Sequence, residues 1–293
     1  MSIEPTVTPE VTSIGILSAS YSGSTLVSIV LGRAPGVLAT SEVFQLLNKA
    51  PGAIGCKACG TGCPFWTPEF LDECRRNPRR YDAIASRARE RLGITHVIFK
   101  EMGWRTYERA RRDGNRFDRF VLLMKCPQAY AYSCLVHDGR PVSESLDRYR
   151  RECRGALDFL AGCGVPATVV HFEAFAEAPA IEARRLCDRL GIAFAPALLE
   201  LGWTPAMHPL ATGNAGAFSH LGTREEFERG VERDPYWRRV YQDRHIDWIR
   251  RNLGTVAPDR KWEEGLSDAQ KAEVAGHEGA MSAFEAMRDL ASR

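Results

Sequence analysis

The chain has 293 residues, 44% of them apolar and 26% charged, and its 39 basic and 37 acidic side chains leave a formal charge of +2. That length buries a substantial core, while the near-balance of charge excludes the broad positive field that holds nucleic acid or a membrane surface. No stretch approaches the roughly 18 consecutive apolar residues of a membrane span. Residues 1–12 lack the basic flank and apolar run of a leader, and nine cysteines are an odd number spread along the chain. A cytoplasmic location with reduced thiols is therefore expected.

In chain order, residues 12–18 read as a short buried strand, 18–24 as a Ser/Gly-rich loop, and 25–32 as an apolar helix ending at Arg33-Ala34-Pro35-Gly36. Further compact apolar runs bounded by turn residues predict strands at 36–39, 95–99, 119–124 and 167–171. Spaced apolar residues in charged surroundings predict helices at 79–92, 103–113 and 143–163, and another at 179–190 stopped by Gly191. Residues 202–222 are rich in Pro and Gly, 224–252 read as helical, and 267–290 form a polar helix to which no chemistry is assigned. Strands alternating with helices predict a parallel sheet covered on both faces.

The run Ser18-Ala19-Ser20-Tyr21-Ser22-Gly23-Ser24-Thr25 lies where the first strand feeds the first helix. Backbone N–H groups, hydroxyls and the helix dipole converge there, which suits a phosphate; an ordinary Ser/Gly turn with a helix cap fits the same residues. A nucleotide triphosphatase loop carries Gly-Lys before its Ser or Thr, and here the place holds Gly23-Ser24-Thr25. That difference argues against a kinase or triphosphatase. The expected fold is α/β, a single-domain P-loop-like parallel sheet flanked by helices on both faces. Residues 1–12 would be a flexible N-terminus, 13–260 the domain with a Cys-rich insert at about 50–75, and 261–293 a helical tail.

Taken in order, these segments resemble the sulfotransferases that use 3′-phosphoadenosine 5′-phosphosulfate (PAPS), in a bacterial branch resembling tyrosylprotein-sulfotransferase-like members. Tyr21-Ser22-Gly23-Ser24-Thr25-Leu26 is similar to the family's 5′-phosphosulfate loop in all but its first, cationic position, and Glu42 in Ser41-Glu42-Val43 falls where that branch places its catalytic base. Lys100 matches a lysine after the next strand. Lys125-Cys126-Pro127 followed by Ser133 resembles the 3′-phosphate element, with its eight-residue interval intact. His171-Phe172-Glu173 resembles a later family segment. Thr212-Gly213-Asn214 with Ser219 resembles the loop that closes over the nucleotide, and Asp234 with Trp237 a late Asp-x-x-Trp element. The departures are Tyr21 for a cation, Lys125 for arginine, and Ala217 near a place where many bacterial members carry arginine. Lysine serves a phosphate as a point charge without the bidentate fork.

The resemblance implies in-line transfer of a sulfuryl group from PAPS to a hydroxyl or amine acceptor. Glu42 would be the general base, Lys100 and Ser219 would stabilise charge, and Tyr21, Ser22, Gly23, Ser24, Thr25, Lys125, Ser133, Gly213 and Asn214 would hold the nucleotide. The acceptor would be a small molecule or a peptide, with no nucleic-acid partner and no metal requirement. A nucleotide-binding regulatory or scaffold protein without turnover is the alternative. Cys56, Cys59, Cys63 and Cys74 lie close together in sequence, but a second Cys-x2-Cys pair is missing. Packing of a Cys/Trp-rich insert is favoured over a metal or redox site, and similar Cys-Pro-Phe-Trp segments occur in some bacterial members. His137, His171, His208 and His220 have no partner spacing and read as structural or surface residues. The arginines Arg148, Arg150 and Arg151 read as a solvated helix face.

Overall fold

In a computed structural model, residues 10–49, 54–56, 63–200, 208, 210–212 and 260–292 are described, together with positions 228, 232 and 256. The elements are β1 (Thr12–Ser18), α1 (Ser24–Gly32), β2 (Val37–Thr40), α2 (Val43–Leu47), β3 (Ile54–Cys56), α3 (Pro68–Arg76), α4 (Arg80–Leu92) and β4 (His96–Lys100). They continue with α5 (Trp104–Arg112), β5 (Arg119–Met124), α6 (Pro127–Asp138), α7 (Val142–Cys163), β6 (Ala167–His171), α8 (Phe172–Glu177) and α9 (Pro179–Leu190). After a 3-10 turn at Pro196–Leu199 come β7 (Leu210–Thr212), α10 (Lys261–Gly265), α11 (Asp268–Gly276) and α12 (Glu278–Ser292).

Five strands form one parallel sheet in the order β2-β4-β1-β5-β6. The α/β architecture expected from the sequence is present. Alternation along each strand sorts side chains between two cores. In β5, Val121 and Leu123 face one layer with Leu26, Val30 and Phe175, whereas Phe120, Leu122 and Met124 face the other with Tyr107, Tyr149 and Met287. Helices α1, α8 and α9 cover the first face; α4 to α7, α11 and α12 cover the second. Fully burying each such large apolar side chain contributes about 1.5–3 kcal/mol, so two continuous cores hold the sheet rigid from both sides.

Strands β1, β5 and β6 have the predicted bounds, and β2 and β4 each lie one residue later. The predicted polar helix at 267–290 is two helices. Ser267 opens α11 with a capping box to Gln270, and Gly276-His277 breaks the run before α12, whose Ala280, Ala283 and Met287 are buried in the core. A pair not anticipated from the sequence is the two-stranded antiparallel sheet of β3 and β7, with Cys56 opposite Leu210. Three-residue strands carry almost no periodicity to read. The predicted helix at 224–252, including Asp234 and Trp237, lies outside the described residues.

Candidate functional site

In a parallel sheet of this order the chain leaves β1 in one direction for β2 and β4 and in the other for β5 and β6, which opens a crevice at the strand C-termini where ligands settle. Five of the segments that carry the resemblance lie on that rim. The loop after β1 begins at Ser18, Glu42 follows β2, Lys100 ends β4, Lys125 follows β5, and Phe172 follows β6. Register brings them together: Lys100 pairs with Ile16, Ser18 with Leu123, and Met124 with His171.

The loop is shaped by two residues with positive φ, Tyr21 at 61° and Gly23 at 85°. Only glycine suits the second place, because a Cβ there would run into the Phe172 ring and the left-handed backbone already disfavours one. Gly23 caps α1 without a side-chain hydrogen bond, so the first-turn N–H groups stay available to an anion. Ser22 Oγ is fully buried and has no hydrogen-bond partner among the described residues. A buried hydroxyl without a partner costs about 1–3 kcal/mol, which a bound oxyanion would offset. Ser24 is buried and Thr25 exposed at the helix start.

Tyr21 takes a different part from that of a cation. Its hydroxyl donates to Asp138 Oδ1 at 2.6 Å, and its ring stacks on His137 at 5.2 Å, tying the loop to the end of α6. Positive charge reaches the loop from elsewhere: Arg148 Nη2 on α7 donates to Ser20 Oγ at 3.0 Å, and its Nη1 lies 3.9 Å from Asp138. Arg148 is thus turned toward the loop, contrary to its reading as a solvated face. Its position three residues after buried Ser145 on α7 is the signal that helical phase could have supplied.

Lys125 and Ser133 meet as the spacing predicts. Lys125 Nζ donates to Ser133 Oγ at 3.2 Å and to the Tyr21 carbonyl at 3.4 Å, while Ser133 donates to Ala129 O at 2.8 Å. The lysine is 3% exposed, its amine stands 5.5 Å over the Phe172 ring, and Tyr149 Oη fixes its carbonyl at 2.8 Å. Cys126 N donates to Glu173 Oε1 at 2.8 Å, which locks the turn into α6 against the end of β6.

At the N-cap of α2 and the end of β4, Glu42 Oε1 and Lys100 Nζ form an ion pair. Lys100 is buried and Glu42 partly exposed. Next to Lys100 lies Glu101, which the sequence reading passed over. Phe44 N and Tyr81 Oη donate to its Oε1 at 3.1 and 2.9 Å, and its Oε2 has no partner among the described residues. Burial pushes this carboxyl up to about 8, against those hydrogen bonds and the pull of Lys100. By gripping the first turn of α2, Glu101 positions Glu42 at its N-cap.

Gly213, Asn214, Ser219, His220 and Cys59 lie outside the described residues. The other insert cysteines separate into two settings. Cys74 is packed in α3, where burial raises its thiol to about 12. Cys56 and Cys63 instead lie against His208, which the sequence reading left without a partner. Hydrogen bonding to Cys56, then to His208 and the N–H groups of Trp66 and Phe65, draws the Cys63 thiol well below its usual range in spite of burial.

Among solved structures, the chain resembles the sulfotransferase domain from the Synechococcus PCC 7002 olefin synthase with a TM-score of 0.53 and 17% identity, over 94% of this chain and 97% of that one. It also matches the sulfotransferase domain from the curacin biosynthetic pathway (TM-score 0.49, 15% identity, 92% and 99% covered). A third match is mouse sulfotransferase SULT7A1 complexed with PAP (TM-score 0.43, 8% identity, 95% and 88% covered). No family model and no curated protein matches the chain. The chain therefore has the fold of a sulfotransferase domain.

Proposed function

We propose that this chain is a PAPS-dependent sulfotransferase acting on a hydroxyl or amine acceptor. The observation that carries the reading is the buried Lys125 amine, 3.2 Å from Ser133 Oγ and 3.4 Å from the Tyr21 carbonyl. It joins the predicted 3′-phosphate element to the loop predicted for the 5′ side. The Ser22 hydroxyl, which has no partner among the described residues, and the first-turn N–H groups of α1, which no side chain caps there, fit an oxyanion beside that cation.

PAPS, when bound, supplies the activated sulfuryl group. The chain's own task is then to align the reactants and meet charge that develops on the leaving phosphate, as in phosphoryl transfer. Ser22, Ser24, Thr25 and the loop N–H groups hold the 5′ end, Lys125 and Ser133 hold the 3′ phosphate, and Arg148 supplies the loop's cation. Lys100 would stabilise negative charge at the leaving oxygen, and its ion pair with Glu42 orients that carboxylate to accept the acceptor's proton. An intact Glu42–Lys100 pair favours this reading over a scaffold without turnover.

Calorimetry with 3′,5′-adenosine bisphosphate, 5′-AMP and Mg-ATP tests the cofactor class. Micromolar preference for the bisphosphate, lost in Lys125→Ala and Ser133→Ala, is expected. Preference for Mg-ATP, or no nucleotide binding, would remove the reading. In an acceptor screen with PAPS, Glu42→Gln should lower kcat by about 10²-fold or more while leaving bisphosphate affinity unchanged. Full activity in that variant would end the base assignment.

A further inference from the structure

The geometry points to a structural zinc site formed by Cys56, Cys63 and His208, which staples the Cys-rich insert to the distant β7 segment. Their three ligand atoms lie within 4.8 Å of one another, and all three residues are buried. His208 Nδ1 is 3.7 Å from Cys56 Sγ and 3.3 Å from Cys63 Sγ. Zinc bonds of about 2.3 Å to sulfur and about 2.0 Å to nitrogen, in a tetrahedron, place an S···N edge at about 3.5 Å. The two separations bracket that value.

The surroundings are those of a bound ion. Trp66 N–H donates to Cys63 Sγ at 3.4 Å, and Trp66 Nε1 donates to the His208 carbonyl at 2.5 Å, fixing a sulfur ligand and the backbone of the histidine with one residue. Such supporting hydrogen bonds orient ligands and temper thiolate charge. Phe65 and Trp66 are almost fully buried, and Phe65 lies 5.9 Å from the His208 ring, so aromatic side chains help to shield the thiols from solvent.

Topology gives the ion a task. Cys56 ends β3 and His208 stands two residues before β7, the strand that β3 pairs with, although 152 residues separate them. A two-stranded sheet of three-residue strands has little stability of its own. Metal binding supplies folding free energy by closing such a long loop, with each thiol releasing a proton as it ligates. In sequence, Cys56 also begins a Cys-x2-Cys pair.

The test uses the full chain purified without chelator or a metal-affinity step. Elemental analysis should find about one zinc per chain. Exchange with Co²⁺ should give a thiolate-to-cobalt charge-transfer band and the visible bands of a tetrahedral ion. Cys63→Ser should lose most of the metal; His208→Cys should retain it and strengthen the charge-transfer band, an outcome that a purely packing role does not produce. Folded wild-type chain that carries no zinc and gives no cobalt spectrum would overturn the inference, as would a Cys56–Cys63 disulfide found by mass spectrometry.

Discussion

Glu101 offers a test that needs no substrate. Its carboxyl is held near 8 in the folded chain against an ordinary value of 4.5, because burial disfavours the charged form. Between those values the folded state holds a proton that the unfolded state has released, so stability falls as pH rises through the interval and levels off above it. At about 1.4 kcal/mol per pH unit the full interval amounts to roughly 5 kcal/mol, comparable with the entire stability of a marginal domain. Glu101→Gln keeps an acceptor for Phe44 N and Tyr81 Oη but removes the titration, and its extra unsatisfied donor costs about 1 kcal/mol. The variant should therefore match the parent near pH 5 and be more stable by about 3–4 kcal/mol at pH 8, read from urea unfolding followed by circular dichroism. Parallel stability curves for the two proteins from about pH 5 to 9 would refute the argument that burial dominates this carboxyl.

Gly23→Ala should destabilise the fold by at least about 2 kcal/mol, from the left-handed backbone and the displaced Phe172 ring, and should weaken bisphosphate binding in the same preparation. An unfolding midpoint within error of the parent would show that the loop relaxes at no cost. Arg148→Ala should lower bisphosphate affinity about tenfold, while stability changes by less than about 1 kcal/mol because its ion pair with Asp138 is long and partly exposed. Calorimetry that finds unchanged affinity would place Arg148 outside the anion's reach.

The features legible from the sequence were those encoded within a short span. Compact apolar runs bounded by turn residues located the five sheet strands, and the eight-residue interval from Lys125 to Ser133 spans the β5–α6 turn across which the two groups meet. Arg148 was misread because charge patterning treats a helix face as solvent unless its phase is compared with the buried Ser145 one turn earlier. Glu101 was missed because its meaning comes from Tyr81 and Phe44, which approach from α4 and α2. His208 had no visible partner because its thiols lie 145 and 152 residues away, across a pairing of strands too short to leave a pattern.

Helix α7 carries both Arg148 and Tyr149, and Gly155 on the same helix lies flush against the Trp104 indole, where any Cβ would overlap the ring. Seven residues, about 10 Å of rigid rod, separate that glycine from the arginine. A side chain larger than hydrogen at Gly155 must displace either the Trp104 ring or the helix, and any displacement of the helix is shared by Arg148 against Ser20 and Tyr149 against the Lys125 carbonyl, so damage to the loop can begin at a distant glycine.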